Sequence, residues 1–433
     1  MQEPAQLYKK PYFLFGLILL LHIGSWILLK PIWPNGPSDD PFQYAWNANQ
    51  LIHHTFHLNY DPYPNRFGVF VPTSFIFYLF GESPYTTSLW PLIASLLTLC
   101  VVFVLLKKVA NSTVALFAAF LLATNLQQLA YSLELYPDLI VSFYALAAVV
   151  VLYYGREKSD KKILFATLFQ LILLAGFMTK ETMLLLGPFI LLTLITDLFQ
   201  KNHLLFWKWT IGLSALSILL FFGFYYLMTG DPLFRIRSLT DLVQYRILDE
   251  AMSKSITDVN SANLFIWLNH NLAYIFLLVF SIPLFLSSIK GKWNQLNVYI
   301  SVYALLMLAQ LIIIFHTPKM GIIYMQDRHW MFLLAPLSIL AAYFFSNPDK
   351  KHLRIVLFLL AGLSICNYIE WGLFRGLLFS LFLVAGLVEY YWKQTRSIVW
   401  TIPFFILLVY FISANTNYRE VNANRSVKIQ NQK

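Results

Sequence analysis

Long apolar runs separated by short polar turns dominate the chain. A helix needs about 20 apolar residues to cross the hydrocarbon of a bilayer, and by that measure about thirteen segments qualify. They lie at Tyr12–Leu29, Pro84–Leu106, Val114–Leu129, Leu139–Tyr154, Ile163–Thr179, Met183–Phe199, Leu204–Met228, Leu272–Ile289, Leu296–Phe315, Trp330–Phe345, Ile355–Tyr368, Gly372–Tyr391 and Ile398–Ala414. The pattern predicts an all-α polytopic membrane protein. Residues 1–414 form one transmembrane domain and Asn415–Lys433 a short basic tail. The first run exceeds a signal-peptide core and lacks a small-residue cleavage site, so it reads as a retained helix.

Two polar stretches are long enough to carry function. They are 30–83, after the first run, and 229–270, after the seventh. In the first, Asp40-Pro41-Phe42-Gln43 reads as a helix start, with Asp40 as cap and proline in the first turn. Tyr44, Ala45, Ala48, Leu51, Ile52 and Phe56 then continue as an amphipathic surface helix. The second stretch carries Arg235, Arg237 and Arg246 and predicts another surface helix.

Composition confirms the class. Of 433 residues, 58% are hydrophobic and 12% charged, against about 25% charged in soluble domains. The mean hydropathy is +0.62. The net charge of +10 sits mostly in the turns, a topology and lipid-headgroup signal rather than a nucleic-acid one. With the N-terminus inside, Lys107, Lys108, Arg156, Lys161, Lys162, Lys201 and Lys208 fall on the cytoplasmic side. Both long stretches then face out. Cys100 and Cys366 lie within apolar runs and offer no disulfide framework.

The ionisable residues that bear chemistry gather on that outer side. Asp39 and Asp40 are adjacent, and capping accounts for one acid better than for two. Glu134 and Asp138 precede the fourth span. Lys180-Glu181 forms the tightest outer turn, where the lysine either pairs with its neighbour or neutralises a lipid phosphate. Arg328-His329 enters the tenth span, suited to bidentate phosphate contact or to a headgroup anchor. His53 and His57 share helical metal-ligand spacing without a third ligand.

Taken in order, these motifs resemble the GT-C glycosyltransferases that use polyprenyl-phosphate sugars, in the branch of protein O-mannosyltransferases and lipid A aminoarabinose transferases. The matching residues are Asp39-Asp40 with Tyr44-Ala45, Arg66-Phe67-Gly68 through Pro84, Asp138, Lys180, and Arg328-His329-Trp330 with Leu334-Ala335-Pro336. Arg66 stands where the aminoarabinose branch has a lysine followed by two prolines. That branch also carries a large soluble C-terminal domain.

The resemblance implies an inverting transfer of sugar from a polyprenyl-phosphate donor to a hydroxyl of a protein, lipid or glycan, at the outer face of a bacterial cytoplasmic membrane. Membrane lipids are the other partners, and nucleic acid is not one. Asp39, Asp40 and Asp138 are the implied catalytic residues. Arg66, Glu134, Lys180, Arg328 and His329 are the implied substrate ligands. A divalent cation shared by Asp40 and Asp138 is left open. The alternative is a transporter or flippase of lipid-linked sugars, with Pro188, Pro283 and Pro336 breaking its helices.

Overall fold

The computed structural model describes residues 11–31, 39–157, 160–241, 272–288, 295–316, 327–346, 353–361, 363 and 380–388. All regular structure among them is helical. In chain order the helices are α1 (Pro11–Leu29), α2 (Asp40–Ile52), α3 (Phe67–Phe80), α4 (Pro84–Val109), α5 (Ser112–Ala123), α6 (Leu126–Ser132), α7 (Pro137–Glu157), α8 (Lys162–Thr179), α9 (Gly187–Phe199) and α10 (Leu204–Thr229). There follow α11 (234–241), α12 (Leu272–Ser288), α13 (Leu296–His316) and α14 (Met331–Ser346). Short 3₁₀ turns at Tyr63–Asn65, Glu181–Leu186 and Asp327–Trp330 precede α3, α9 and α14.

Eight helices among the described residues are long and apolar enough to span a membrane, or nine if one bent pair counts as a single span. The expected span Ile398–Ala414, the tail, and residues 242–270 of the second long stretch with Arg246 lie outside the described residues, as do parts of Ile355–Tyr368 and of Gly372–Tyr391.

Two expectations are corrected. The run Val114–Leu129 is not one straight helix: α5 and α6 meet at 59°. Asn125 caps α6 by accepting from the N–H groups of Gln127 and Gln128. The break frees backbone groups that hydrocarbon cannot satisfy. His22 of α1 meets one of them, with Nδ1 2.8 Å from the Ala123 carbonyl. Its Nε2 lies 2.9 Å from Ser95 Oγ, which also accepts from Gln128.

The first long stretch is also more structured than its polarity suggests, because it contains α3. This apolar helix is too short to span. It packs between α2, α4 and α8. Pro72 lies inside it and has no N–H to give to the Gly68 carbonyl four residues back. Trp90 Nε1 of α4 donates to that carbonyl instead, at 3.0 Å.

The expected amphipathic helix α2 is present. Its Tyr44, Ala45 and Ala48 are buried against Val69, Phe70 and Phe77 of α3, Ala94 of α4 and Ile140 of α7, while Trp46 is exposed. The main core surrounds α14, which packs on α5, α7, α12 and α13. At one end of the bundle Arg156 makes a two-pronged, buried contact with Asp197, at 2.8 and 2.7 Å, and Trp207 Nε1 donates to the same carboxylate. This pair ties the end of α7 to the end of α9 and the start of α10. The expected site residues sit at the other end.

Candidate functional site

Six chain segments converge at that end, each contributing a charge from the last or first turn of a helix. Asp39 occupies the cap position of α2 in extended backbone, and its side chain caps no N–H. Asp40 is the first helical residue, one place further into the helix than expected. Its role as a cap is therefore corrected. Asp40 Oδ1 accepts from the Tyr63 hydroxyl at 2.7 Å, and Oδ2 from Arg328 Nη1 at 2.7 Å. Burial pushes the Asp40 carboxyl up, but the Arg328 charge and these hydrogen bonds outweigh it and hold the pKa below the usual carboxylate range.

Arg328 also lies over the Tyr136 ring, 4.9 Å from its centroid, and the Tyr136 hydroxyl is 3.5 Å from Asp39 Oδ1. Burial, with Glu134 and Asp39 nearby, raises the Tyr136 pKa above its ordinary value and keeps that hydroxyl protonated.

Arg66 ends the 3₁₀ turn before α3 and is buried. Its Nη1 donates to the Tyr44 hydroxyl. Nη2 and Nε reach the Glu181 carboxylate at 2.6 and 3.4 Å. Arg235 of α11 donates to the same carboxylate at 2.9 Å. Helix α11 is docked by Ser238 Oγ, which donates to the Tyr60 carbonyl at 2.8 Å, and by Phe234 against the Tyr60 ring.

Lys180 and Glu181, adjacent in sequence, do not pair with each other. Lys180 Nζ donates to Asp138 Oδ1 at 2.5 Å, and both residues are buried. Asp138 Oδ2 has no hydrogen-bond partner among the described residues. Arg328 and the buried His329 stand within electrostatic range of it. The turn is held in place by Gly68: a Cβ there would meet Thr179 Oγ1 at 2.1 Å and the Thr179 Cα and N at 2.9 Å. Close backbone approach sets α3 against the end of α8, and with it Arg66 against Glu181.

Comparisons with known proteins bear on the fold that carries this arrangement. The family described as dolichyl-phosphate-mannose-protein mannosyltransferase matches residues 68–225, from the start of α3 to near the end of α10. Among solved structures, ArnT from Cupriavidus metallidurans in its undecaprenyl-phosphate-bound state superposes with a TM-score of 0.61 at 12% identity, over 93% of this chain and 77% of that one. The apo form of the same protein gives 0.59 at 14% identity, over 92% and 76%. The apo Archaeoglobus fulgidus oligosaccharyltransferase gives 0.56 at 16% identity, over 94% and 57%. The chain shares the fold of these two proteins. No curated protein sequence matches it.

Within this fold, most of the expected site residues come together. Asp39, Asp40, Asp138, Arg66, Lys180, Arg328 and His329 share one end of the bundle, and half-buried Glu134 stands beside Tyr136. The histidines His53, His54 and His57 are exposed past the end of α2, and no three His, Cys, Asp or Glu residues among those described gather for a metal. Four participants were not among the expected site residues: Glu181, named only as a neighbour of Lys180, Arg235, named only as one cation of a polar stretch, and the tyrosines Tyr63 and Tyr136. Arg235 stood in a polar stretch beside Arg237, and only the fold separates them. Arg235 is buried on Glu181, while Arg237 is exposed on Asp231 at 3.2 Å. The signal within reach was Tyr136-Pro137-Asp138, an aromatic directly ahead of a helix-start acid.

Proposed function

We propose that the protein transfers a sugar from a polyprenyl-phosphate donor to an acceptor hydroxyl, with inversion, at the outer face of a bacterial cytoplasmic membrane. One observation carries this reading: the acid pair at the start of α2 lies at the same end of the bundle as Arg66, Arg235, Lys180 and Arg328. That combination suits a reaction in which a proton is removed on one side and phosphate charge develops on the other. Lys107, Lys108, Lys161, Lys162 and Lys201 lie at the opposite end, which supports placing that end in the cytoplasm.

Asp39 is the base. Both oxygens of Asp40 are engaged by Tyr63 and Arg328, whereas the Asp39 carboxylate serves no backbone cap. It takes the acceptor's hydroxyl proton as the oxygen attacks the anomeric carbon. The bond from that carbon to the phosphate oxygen breaks, and its electron pair leaves on the polyprenyl phosphate. Arg66, Arg235 and Lys180 stabilise that charge, so the leaving group needs no proton. Asp138 positions Lys180. Arg328 positions Asp40 and, through Tyr136, the base.

A divalent cation between Asp40 and Asp138 does not fit these residues, because Arg328 and Lys180 already face the two carboxylates. No step is routed through a metal, and the expected outcome of chelation with EDTA is unchanged turnover.

The test is release of polyprenyl phosphate from a panel of polyprenyl-phosphate sugars by purified protein in lipid nanodiscs. Asp39→Asn lowers turnover by about a hundredfold or more with its unfolding temperature unchanged. Full turnover in that variant overturns the base assignment. If no lipid-linked sugar is consumed by the wild type, the whole reading fails.

A further inference from the structure

The pairing of two buried arginines with a single carboxylate has no equivalent elsewhere among the described residues. Arg66 grips Glu181 with two nitrogens, and Arg235 donates to the same carboxylate. The group therefore carries one net positive charge. It is also incompletely satisfied. Arg235 Nη1 and the hydroxyl of Tyr225, which stands beside Arg235, are buried and lack hydrogen-bond partners among the described residues. Two donors without acceptors, next to a surplus of one positive charge, describe a place for a monoanion.

We infer that Glu181 is a specificity-determining residue, which trims the arginine pair to a single surplus charge so that it favours a phosphodiester monoanion over a phosphomonoester dianion. The inference rests on the glycosyltransferase reading, in which the donor is a diester and the spent lipid a monoester. The two differ by close to one unit of charge at neutral pH, because the second ionisation of a phosphate monoester falls near about 6. A clamp with two unopposed arginines holds the dianion more strongly and retains the product. With Glu181 in place, the same residues receive the donor and release the spent lipid. Glu181 is thus a positioning and charge-setting group and makes no contact with the reacting carbon.

The test separates charge from sugar by using two non-reactive lipids, undecaprenyl phosphate and its methyl diester, bound to the full chain in nanodiscs. In Glu181→Gln at pH 8, affinity for the monoester rises about tenfold relative to the diester. That gain shrinks at pH 5, where the monoester is a monoanion. Glu181→Asp restores the wild-type ratio. Arg235→Gln moves the ratio the other way: both lipids bind more weakly, the monoester by the larger factor. This variant keeps the proposal testable should Glu181→Gln fail to fold. Arg237→Gln, an exposed control, changes neither affinity.

If wild type binds both lipids and Glu181→Gln shows the same ratio at both pH values, charge trimming is overturned and the glycosyltransferase reading stands. An unchanged ratio in Arg235→Gln overturns charge trimming in the same way. If wild type binds neither lipid, both fall.

Discussion

Replacing Gly68 with alanine tests how the site is assembled. The added methyl carbon meets Thr179 Oγ1 at 2.1 Å and Thr179 Cα and N at 2.9 Å. A threonine hydroxyl can turn away, but backbone cannot, so the 2.9 Å contacts decide the outcome. Carbon atoms prefer a separation of about 3.5–4.0 Å, so the start of α3 and the end of α8 must part by roughly 0.5–1 Å. Overpacking of this kind costs about 1–3 kcal/mol.

The functional cost is larger, because Arg66 lies two residues from the methyl and Lys180-Glu181 directly follow Thr179. A displacement of about 1 Å in groups that orient a reaction lowers its rate by about a hundredfold. The assay is turnover of a polyprenyl-phosphate sugar together with thermal unfolding in the same detergent. Gly212→Ala is the control: it lies in α10 with nothing within 4 Å of the new carbon, and alanine in a helix is favoured over glycine by about 1 kcal/mol. Unchanged turnover and unfolding temperature in Gly68→Ala would refute the claim that this contact sets the site.

Two further outcomes follow from the charges. Removing one partner of the buried Lys180–Asp138 pair, as in Lys180→Met or Asp138→Asn, costs about 3–5 kcal/mol; the double variant recovers part of that loss in denaturant or thermal unfolding, and simple additivity would sink the pairing. The depressed Asp40 pKa makes stability pH-dependent in a known direction: the Arg328 contribution is complete above the ordinary carboxylate range near about 4 and is lost as pH falls through the lowered value. Wild type therefore loses unfolding temperature more steeply on acidification than Asp40→Asn, and parallel profiles would contradict that sign.

The helical, membrane-spanning character of the chain was legible in the apolar runs, since helix length against bilayer thickness is a one-dimensional property. So was the gathering of acids and cations at one end of the bundle. Acids and cations are costly in hydrocarbon, so their placement at the ends of runs already sorts them by membrane face. The amphipathic α2 followed from the spacing of Tyr44, Ala45, Ala48 and Leu51.

Pairing was not legible. Lys180 and Glu181 are neighbours that turn to different partners, 42 and 115 residues away in sequence. A sequence ordered by chain position cannot rank Asp138 or Arg66 above the residue next door. The same limit hid Arg235, which differs from Arg237 only in the face of α11 it occupies. It also put the cap of α2 at Asp40 rather than Asp39, a one-residue boundary that adjacent identical side chains do not distinguish. The sequence by itself determined what kinds of groups lie at each membrane face. The tertiary structure decided which of them neutralise one another, because burial makes an unpaired charge expensive and only the packing of α3 on α8 brings the partners within reach.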